Sequence, residues 1–130
     1  MIGYVTLGTN DIDKAAAFYD AVLAVMGHKR MMESDGFIAW GTFDSESAGL
    51  SVGKPYDGEA ATVGNGVMVA LMCESPDVVD KAHAKALELG GVSEGAPGPR
   101  EMPGFYAGYF RDLDGNKLNV FHLDMSKMET

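Results

Sequence analysis

The residues able to do chemistry in this chain are few and scattered. Three histidines, His28, His83 and His122, and a single cysteine, Cys73, make up the usual nitrogen and sulfur ligands. His28 follows the first predicted helix, His83 lies inside the second, and His122 closes the last predicted strand. They are therefore not expected to converge, and a packing role is the expectation for each. Cys73 stands beside Glu74 with no histidine expected next to it, which suits a buried, inert thiol better than a nucleophile. No Ser-His-Asp arrangement follows from spacing, and no glycine loop sits between a strand and a helix where it would cradle a phosphate. Arg100 is more suggestive. It lies in residues 95–104 (GAPGPREMPG), where three prolines and three glycines exclude regular structure and point to a functional loop. An arginine there either clamps a carboxylate or phosphate through two parallel hydrogen bonds or pairs with Glu101. Tyr106 and Tyr109 fall on opposite faces of one strand, so at most one lines a concave surface. Trp40, Phe37 and Phe121 form either an aromatic wall for a flat ligand or part of the core. Nine methionines make an adaptable lining available, with Met31-Met32 and Met125/Met128 equally placed to be dimer contacts or a loose tail.

The bulk composition bounds what such residues serve. With 130 residues, 46% of them hydrophobic, the chain has the means for one soluble domain with a real core. A net charge of −9 with ten scattered basic residues argues against nucleic acid, which needs clustered Lys and Arg. No run approaches the roughly 18 apolar residues that cross a bilayer, and the N-terminus lacks a signal-peptide pattern, so a cytoplasmic location is expected. One cysteine permits no intrachain disulfide.

The elements that must position these residues come in two copies. Residues 5–27 lie over 69–91 at a shift of 64, with Val5/Val69, Leu7/Leu71, Asp13/Asp77, Leu23/Leu87 and Gly27/Gly91 identical. Residues 37–54 lie over 105–122 at a shift of 68, with Phe37/Phe105, Ala39/Ala107, Asp44/Asp112, Leu50/Leu118 and Val52/Val120 identical. Two pairings in the same order imply a duplicated unit that buries a shared face. Residues 1–9 alternate as a strand, with Tyr4, Thr6 and Gly8 on one side and Val5 and Leu7 on the other. Asn10 or Asp11 caps a helix over residues 12–26 that Gly27 stops. Extended pieces over 28–33, 37–43 and 49–53 follow. In the second copy the strand covers 67–72, and Ser75 caps a helix with Pro76 at its first position that runs to Leu89. Strands then cover 92–94, 105–111 and 117–123. The pattern is β-α-β-β-β twice, unit 1 over about residues 1–54 and unit 2 over about 67–124, with the polar, glycine-rich residues 55–66 as a linker and no more.

Phe18-Tyr19 near the end of the first helix, ALELGG closing the second, and RDLDGNKLNVF at the end resemble the vicinal oxygen chelate superfamily, which includes glyoxalase I, extradiol dioxygenases and bleomycin resistance proteins. The resemblance spans essentially the whole chain. It implies an α+β fold in which two tandem βαβββ units curl into cup-shaped mixed sheets around a shared cavity.

Catalytic members of that superfamily hold one divalent metal with His or Glu on the first and last strands of each unit. Carried over by resemblance, these positions are Tyr4, Ser51, Met68 and Asn119. LDGNKLN stands where the family usually has PDGNxIE, so Asn119 replaces the usual Glu. A phenol, a hydroxyl, a thioether and an amide supply no charge to offset a divalent cation. The expectation is a cavity without a metal or other cofactor, lined by Tyr4, Ser51, Met68, Asn119, Arg100, Trp40 and Phe121, binding a small organic molecule in a homodimer. Two alternatives stand beside it. One is a glyoxalase-type lyase whose metal is held instead by Glu33, Glu46 or His122. The other is a sequestering protein whose negative charge gathers a cationic drug.

Overall fold

The computed structural model describes residues 1–42 and 47–127. The expected order of elements is found: β1 (Tyr4–Gly8), α1 (Ile12–Val25), β2 (Arg30–Ser34), β3 (Phe37–Trp40), β4 (Gly49–Gly53), then β5 (Val69–Met72), α2 (Pro76–Glu88), β6 (Val92–Pro99), β7 (Phe105–Arg111) and β8 (Lys117–Leu123). A single 3₁₀ turn, Met125–Lys127, follows. The end of the strand expected over residues 37–43, together with Asp44, Glu46 and Met128, lies outside the described residues.

Local chemistry sets the helix ends. The Asp11 side chain accepts from the Lys14 amide and Ser75 accepts from the Val78 amide, satisfying N–H groups that each first turn leaves free. Pro76 opens α2, where its missing N–H costs nothing. Gly27 and Gly90 follow the helices at φ 85° and 104°, a left-handed backbone that glycine adopts without steric penalty.

Each unit forms a four-stranded mixed sheet of the same order, β1-β4-β3-β2 and β5-β8-β7-β6, with the first and last strands of the unit paired in parallel. The duplication is visible in the ladders. Val5 faces Leu50 and Val69 faces Leu118, so the two shifts read from sequence (69 − 5 = 64 and 118 − 50 = 68) reproduce the register. The third strands depart from it. Ala39 faces Ser51, whereas the residue facing Asn119 is Tyr109, so β3 maps onto β7 at 109 − 39 = 70, two residues beyond the pairing that aligned Ala39 with Ala107. A slip of two keeps every side chain on its face, which is why the sequence match tolerated it. With that correction the halves pack alike. The ring of Tyr19 on α1 lies 5.7 Å from that of Trp40, and His83 on α2 lies 6.3 Å from Phe110.

The core lies between each sheet and its helix. Leu7, Ile38, Trp40, Leu50 and Val52 face α1, and Phe110, Leu118 and Val120 face α2. Burying each of the larger apolar side chains contributes about 1.5–3 kcal/mol before entropy is counted. The units meet through α1 against α2 and through one polar joint. The Asp112 carboxylate accepts from the amides of Asp114 (3.0 Å) and Asn116 (2.9 Å), from the Asn116 side chain (3.0 Å) and from the Tyr19 hydroxyl (2.6 Å). Asn116 also donates to the Gly8 carbonyl at 3.0 Å. The RDLDGN run is thus the clasp between the halves.

One expectation about structure fails. Residues 95–104 were expected to form an irregular loop, yet β6 continues through Pro99. The strand accommodates its prolines and glycines because it is an edge: register shifts at Ser93/Gly95 and Gly95/Gly98 set Pro97 outside the paired register, while Pro99 pairs with Tyr106.

Candidate functional site

The face of each sheet turned away from its helix carries the candidate residues. In unit 1 this open face presents Tyr4 and Thr6 from β1, Ser51 from β4 and Phe37 and Ala39 from β3. In unit 2 it presents Met68, Ala70 and Met72 along the β5 line, Asn119 and Phe121 from β8, and Phe105 and Tyr109 from β7. Alternation places them there, since their neighbours Leu118, Val120 and Phe110 are taken by the core under α2.

The four positions carried over from the metal-binding pattern therefore fall in two pairs, Tyr4 with Ser51 on one open face and Met68 with Asn119 on the other. Tyr4 is half exposed, its ring meeting Phe37 edge to face at 6.1 Å. Ser51 is fully buried, bonded to the Thr6 hydroxyl at 2.7 Å and donating to the Val5 carbonyl at 3.1 Å. Met68 is exposed. Asn119 is 2% exposed and its Oδ1 has no hydrogen-bond partner among the described residues. This donor set does not fit a divalent cation. It carries no negative charge, and the Ser51 hydroxyl is already committed to its neighbours. Among the described residues no group of three or more His, Cys, Asp or Glu is placed to hold a metal.

The alternative ligands do not assemble either. Glu33 pairs with Arg30 at 2.6 Å, and Glu46 lies outside the described residues. His122, on the opposite side of β8 from Asn119 as expected, meets the Cys73 carbonyl through Nδ1 at 3.0 Å and borders a cavity of about 310 Å³ with Tyr106, Asp124 and Lys127. Since a carbonyl only accepts, Nδ1 of His122 carries the proton. His83 is buried, with Nε2 3.1 Å from the Tyr109 carbonyl, and Gly108 leaves room for its ring. His28 is exposed. Burial pushes the Cys73 thiol up to about 11, which leaves it protonated and inert at neutral pH.

Trp40 does not line an open face. It points into the core, where Nε1 donates to Asp20 at 2.9 Å, and it occupies the helix side because Ala39, its neighbour in the alternation, takes the open one. The Asp20 carboxyl is held below its usual range by hydrogen bonds from Arg30 and Trp40, against the opposing effect of burial. Phe121 does lie on the open face, 5.5 Å from Phe105. Of the two tyrosines, Tyr109 is on the open face and Tyr106 turns to α2, donating to Asp80 at 2.6 Å. Arg100 does not pair with Glu101. Its guanidinium donates to the carbonyls of Ala96 (2.7 Å), Gly98 (3.0 Å) and Pro99 (3.2 Å) and lies 5.3 Å from the Tyr109 ring centre.

Three contributors escaped the sequence reading. Lys117 Nζ lies 5.8 Å from the same Tyr109 ring. Lys117, Arg111 and Met68, together with residues 63–67, enclose a cavity of about 510 Å³. The linker is thus the wall of a pocket as well as a connection, held beside β1 by a reciprocal pair of bonds between Asn10 and Ala61 (2.7 and 3.1 Å). Alternation along β8 placed Lys117 on the face of Asn119. The folding back of the linker had no local signal.

A duplicated βαβββ chain with helices packed back to back and open sheet faces defines the architecture, and sequence comparison gives the family. The sequence model of the Glyoxalase/Bleomycin resistance protein/Dioxygenase superfamily matches residues 1–120, and the chain belongs to that superfamily. Its structure is similar to a glyoxalase/bleomycin resistance protein from Albidiferax ferrireducens T118, with 31% identity and a TM-score of 0.86 over 95% of this chain and 99% of that one. It also resembles in fold a glyoxalase/bleomycin resistance protein/dioxygenase family enzyme from Burkholderia phytofirmans PsJN (20% identity, TM-score 0.74, 94% of this chain and 98% of that one). A hypothetical protein from S. aureus shares the fold at 23% identity and a TM-score of 0.70, over 94% and 92% of the two chains. No curated protein matches the sequence. No helix among the described residues is long and apolar enough to cross a membrane.

Proposed function

We propose that this protein binds a small organic molecule on the open faces of its sheets, without a divalent metal at the positions where the superfamily's catalytic members carry one. The observation that carries this reading is Asn119. A buried amide oxygen without a partner costs about 1–3 kcal/mol, and a ligand donor placed against it recovers that cost. A glyoxalase-type lyase has less support, because its enediolate chemistry needs a cation that Tyr4, Ser51, Met68 and Asn119 are not equipped to hold. Capture of a cationic drug also has less support, since the charged side chains around the larger cavity, Arg111 and Lys117, are both positive. We place the protein in the cytoplasm as a homodimer, a second copy covering the exposed apolar residues of the open faces.

The test has two arms. Elemental analysis of protein purified without chelator or affinity metal is expected to find far less than one transition metal per chain. A fragment screen followed through the methyl resonances of labelled methionines is expected to find small molecules that shift Met68 in metal-free protein. A stoichiometric metal lost on Asn119→Leu substitution, or a metal-free protein that no fragment perturbs, overturns the reading.

A further inference from the structure

The charge around the second unit's open face is opposite to that of the whole chain. At a net −9, the expected local balance is negative. Instead, Arg100 and Lys117 both lie within 6 Å of the Tyr109 ring, and neither forms an ion pair among the described residues. Arg111, facing Lys117 across the ladder, completes the group. Glu94 takes Arg111 at 2.6 Å and is held below its usual range by that contact and, more weakly, by Lys117. Of the three cations only Arg111 is ion-paired among the described residues. Lys117 is half-buried, its ammonium set over an aromatic face at the mouth of the 510 Å³ cavity. Fixed positive charge on the wall of a concave surface attracts anions preferentially.

From this we infer that the ligand of the second unit is an organic anion. Its carboxylate or phosphate meets Lys117 at the cavity enclosed by residues 63–67, and its apolar body lies along Tyr109 toward Phe121 and Phe105. Arg100 contributes field more than contact, since its terminal nitrogens are given to three backbone carbonyls. Arg111, anchored to Glu94 and to the Gly115 carbonyl at 3.1 Å, sets the polarity of the rim in the same way. Lys117 is the residue free to swing onto an anion, and its three donors suit either acid. The inference rests on the binding reading above and narrows it to a chemical class.

The experiment titrates phenyl phosphate and benzoate, with benzamide and benzylamine as neutral and cationic partners of similar shape, into the intact protein. Binding is followed at the Met68 methyl resonance. At least one of the two anions is expected to saturate, and the neutral and cationic probes to bind about tenfold more weakly or not at all. Raising the salt is expected to weaken the anion in the unmodified protein, a readout that needs no variant. Lys117→Gln is expected to lose about tenfold in affinity while Lys117→Arg keeps most of it, with equal thermal unfolding of both confirming the fold. Benzamide or benzylamine binding as well as the anions, or anion binding unaffected by salt and by Lys117→Gln, overturns the assignment to an anion and leaves small-molecule binding standing. Failure of both anions to move Met68 also overturns it. Silence of all four probes together with an empty fragment screen removes both readings.

Discussion

Asn119 shows how one atom separates stability from function. Its Cα belongs to a strand whose neighbours on either side, Leu118 and Val120, are fully buried, so the position is fixed by packing, and its Oδ1 is buried with nothing to accept from. If that oxygen is kept for a ligand, the free protein bears its cost. Asn119→Leu, of the same branched shape though bulkier and free of the amide, is expected to stabilise the unliganded protein by about 1 kcal/mol while abolishing fragment binding at Met68. Denaturant unfolding gives the first number and the methyl resonances the second. A destabilised variant that still binds shows that the amide is structural. The residue itself was legible in the sequence, because LDGNKLN fixes its position and the duplication fixes its face. Its missing partner was not, since that depends on what Tyr109 and Ala70 place opposite it. Trp40 illustrates the reverse. An aromatic residue suits a wall or a core equally well in composition, and only alternation in β3, anchored by Ala39 facing Ser51, assigns it to the core.

Among the elements, the joint at Asp112 bears most on how two small units hold together. Four donors, from Asp114, Asn116 (twice) and Tyr19, converge on one buried carboxylate, and Asn116 carries the connection on to β1. The same contact, with burial as the larger cause, raises the Tyr19 hydroxyl well above its ordinary value, so the proton stays on tyrosine and the carboxylate remains the acceptor. Asp112→Ala strands those donors in the interior and is expected to cost about 3 kcal/mol, whereas Tyr19→Phe, which removes one bond and leaves the others, is expected to cost about 1 kcal/mol. Urea unfolding of the two variants checks both the size and the order; equal losses mean that the tyrosine, not the carboxylate, is the keystone. Strand and helix positions at this scale were readable because period, caps and stops agreed: Asp11, Ser75, Pro76, Gly27 and Gly90 all act where their chemistry suggested. The extension of β6 was not readable. Proline and glycine forbid a central strand, and only the knowledge that β6 is an edge permits one.

For the molecule as a whole, the arrangement of the units decides what remains exposed. Because the contact between halves runs through α1 and α2, the open faces are not used to join them, and Tyr4 (53%), Met32 (42%), Met68 (41%) and Met72 (66%) stay accessible. Apolar residues gathered on sheet faces rather than scattered singly are the usual mark of an interface. The sequence left open whether the shared cavity closes within one chain or across two, and neither described cavity lies between the two units. One is lined by unit 2 alone and the other by unit 2 and the linker. A face of one copy set over a face of another would close the site, cover the methionines and place Tyr4 within reach of a ligand on Asn119. The expected solution species is therefore a dimer of twice the chain mass, measured by light scattering at micromolar concentration. Met72→Glu, on the open face but outside the described cavity linings, is expected to weaken association by at least about tenfold, since burying an unpaired carboxylate costs more than the roughly 1.4 kcal/mol that this factor requires. If the dimer closes the site, its dissociation and the loss of ligand binding must follow the same concentration dependence, because a ligand that binds only the assembled form stabilises it by mass action. A wild-type monomer that binds fragments at full affinity breaks that linkage and assigns the site to the single chain.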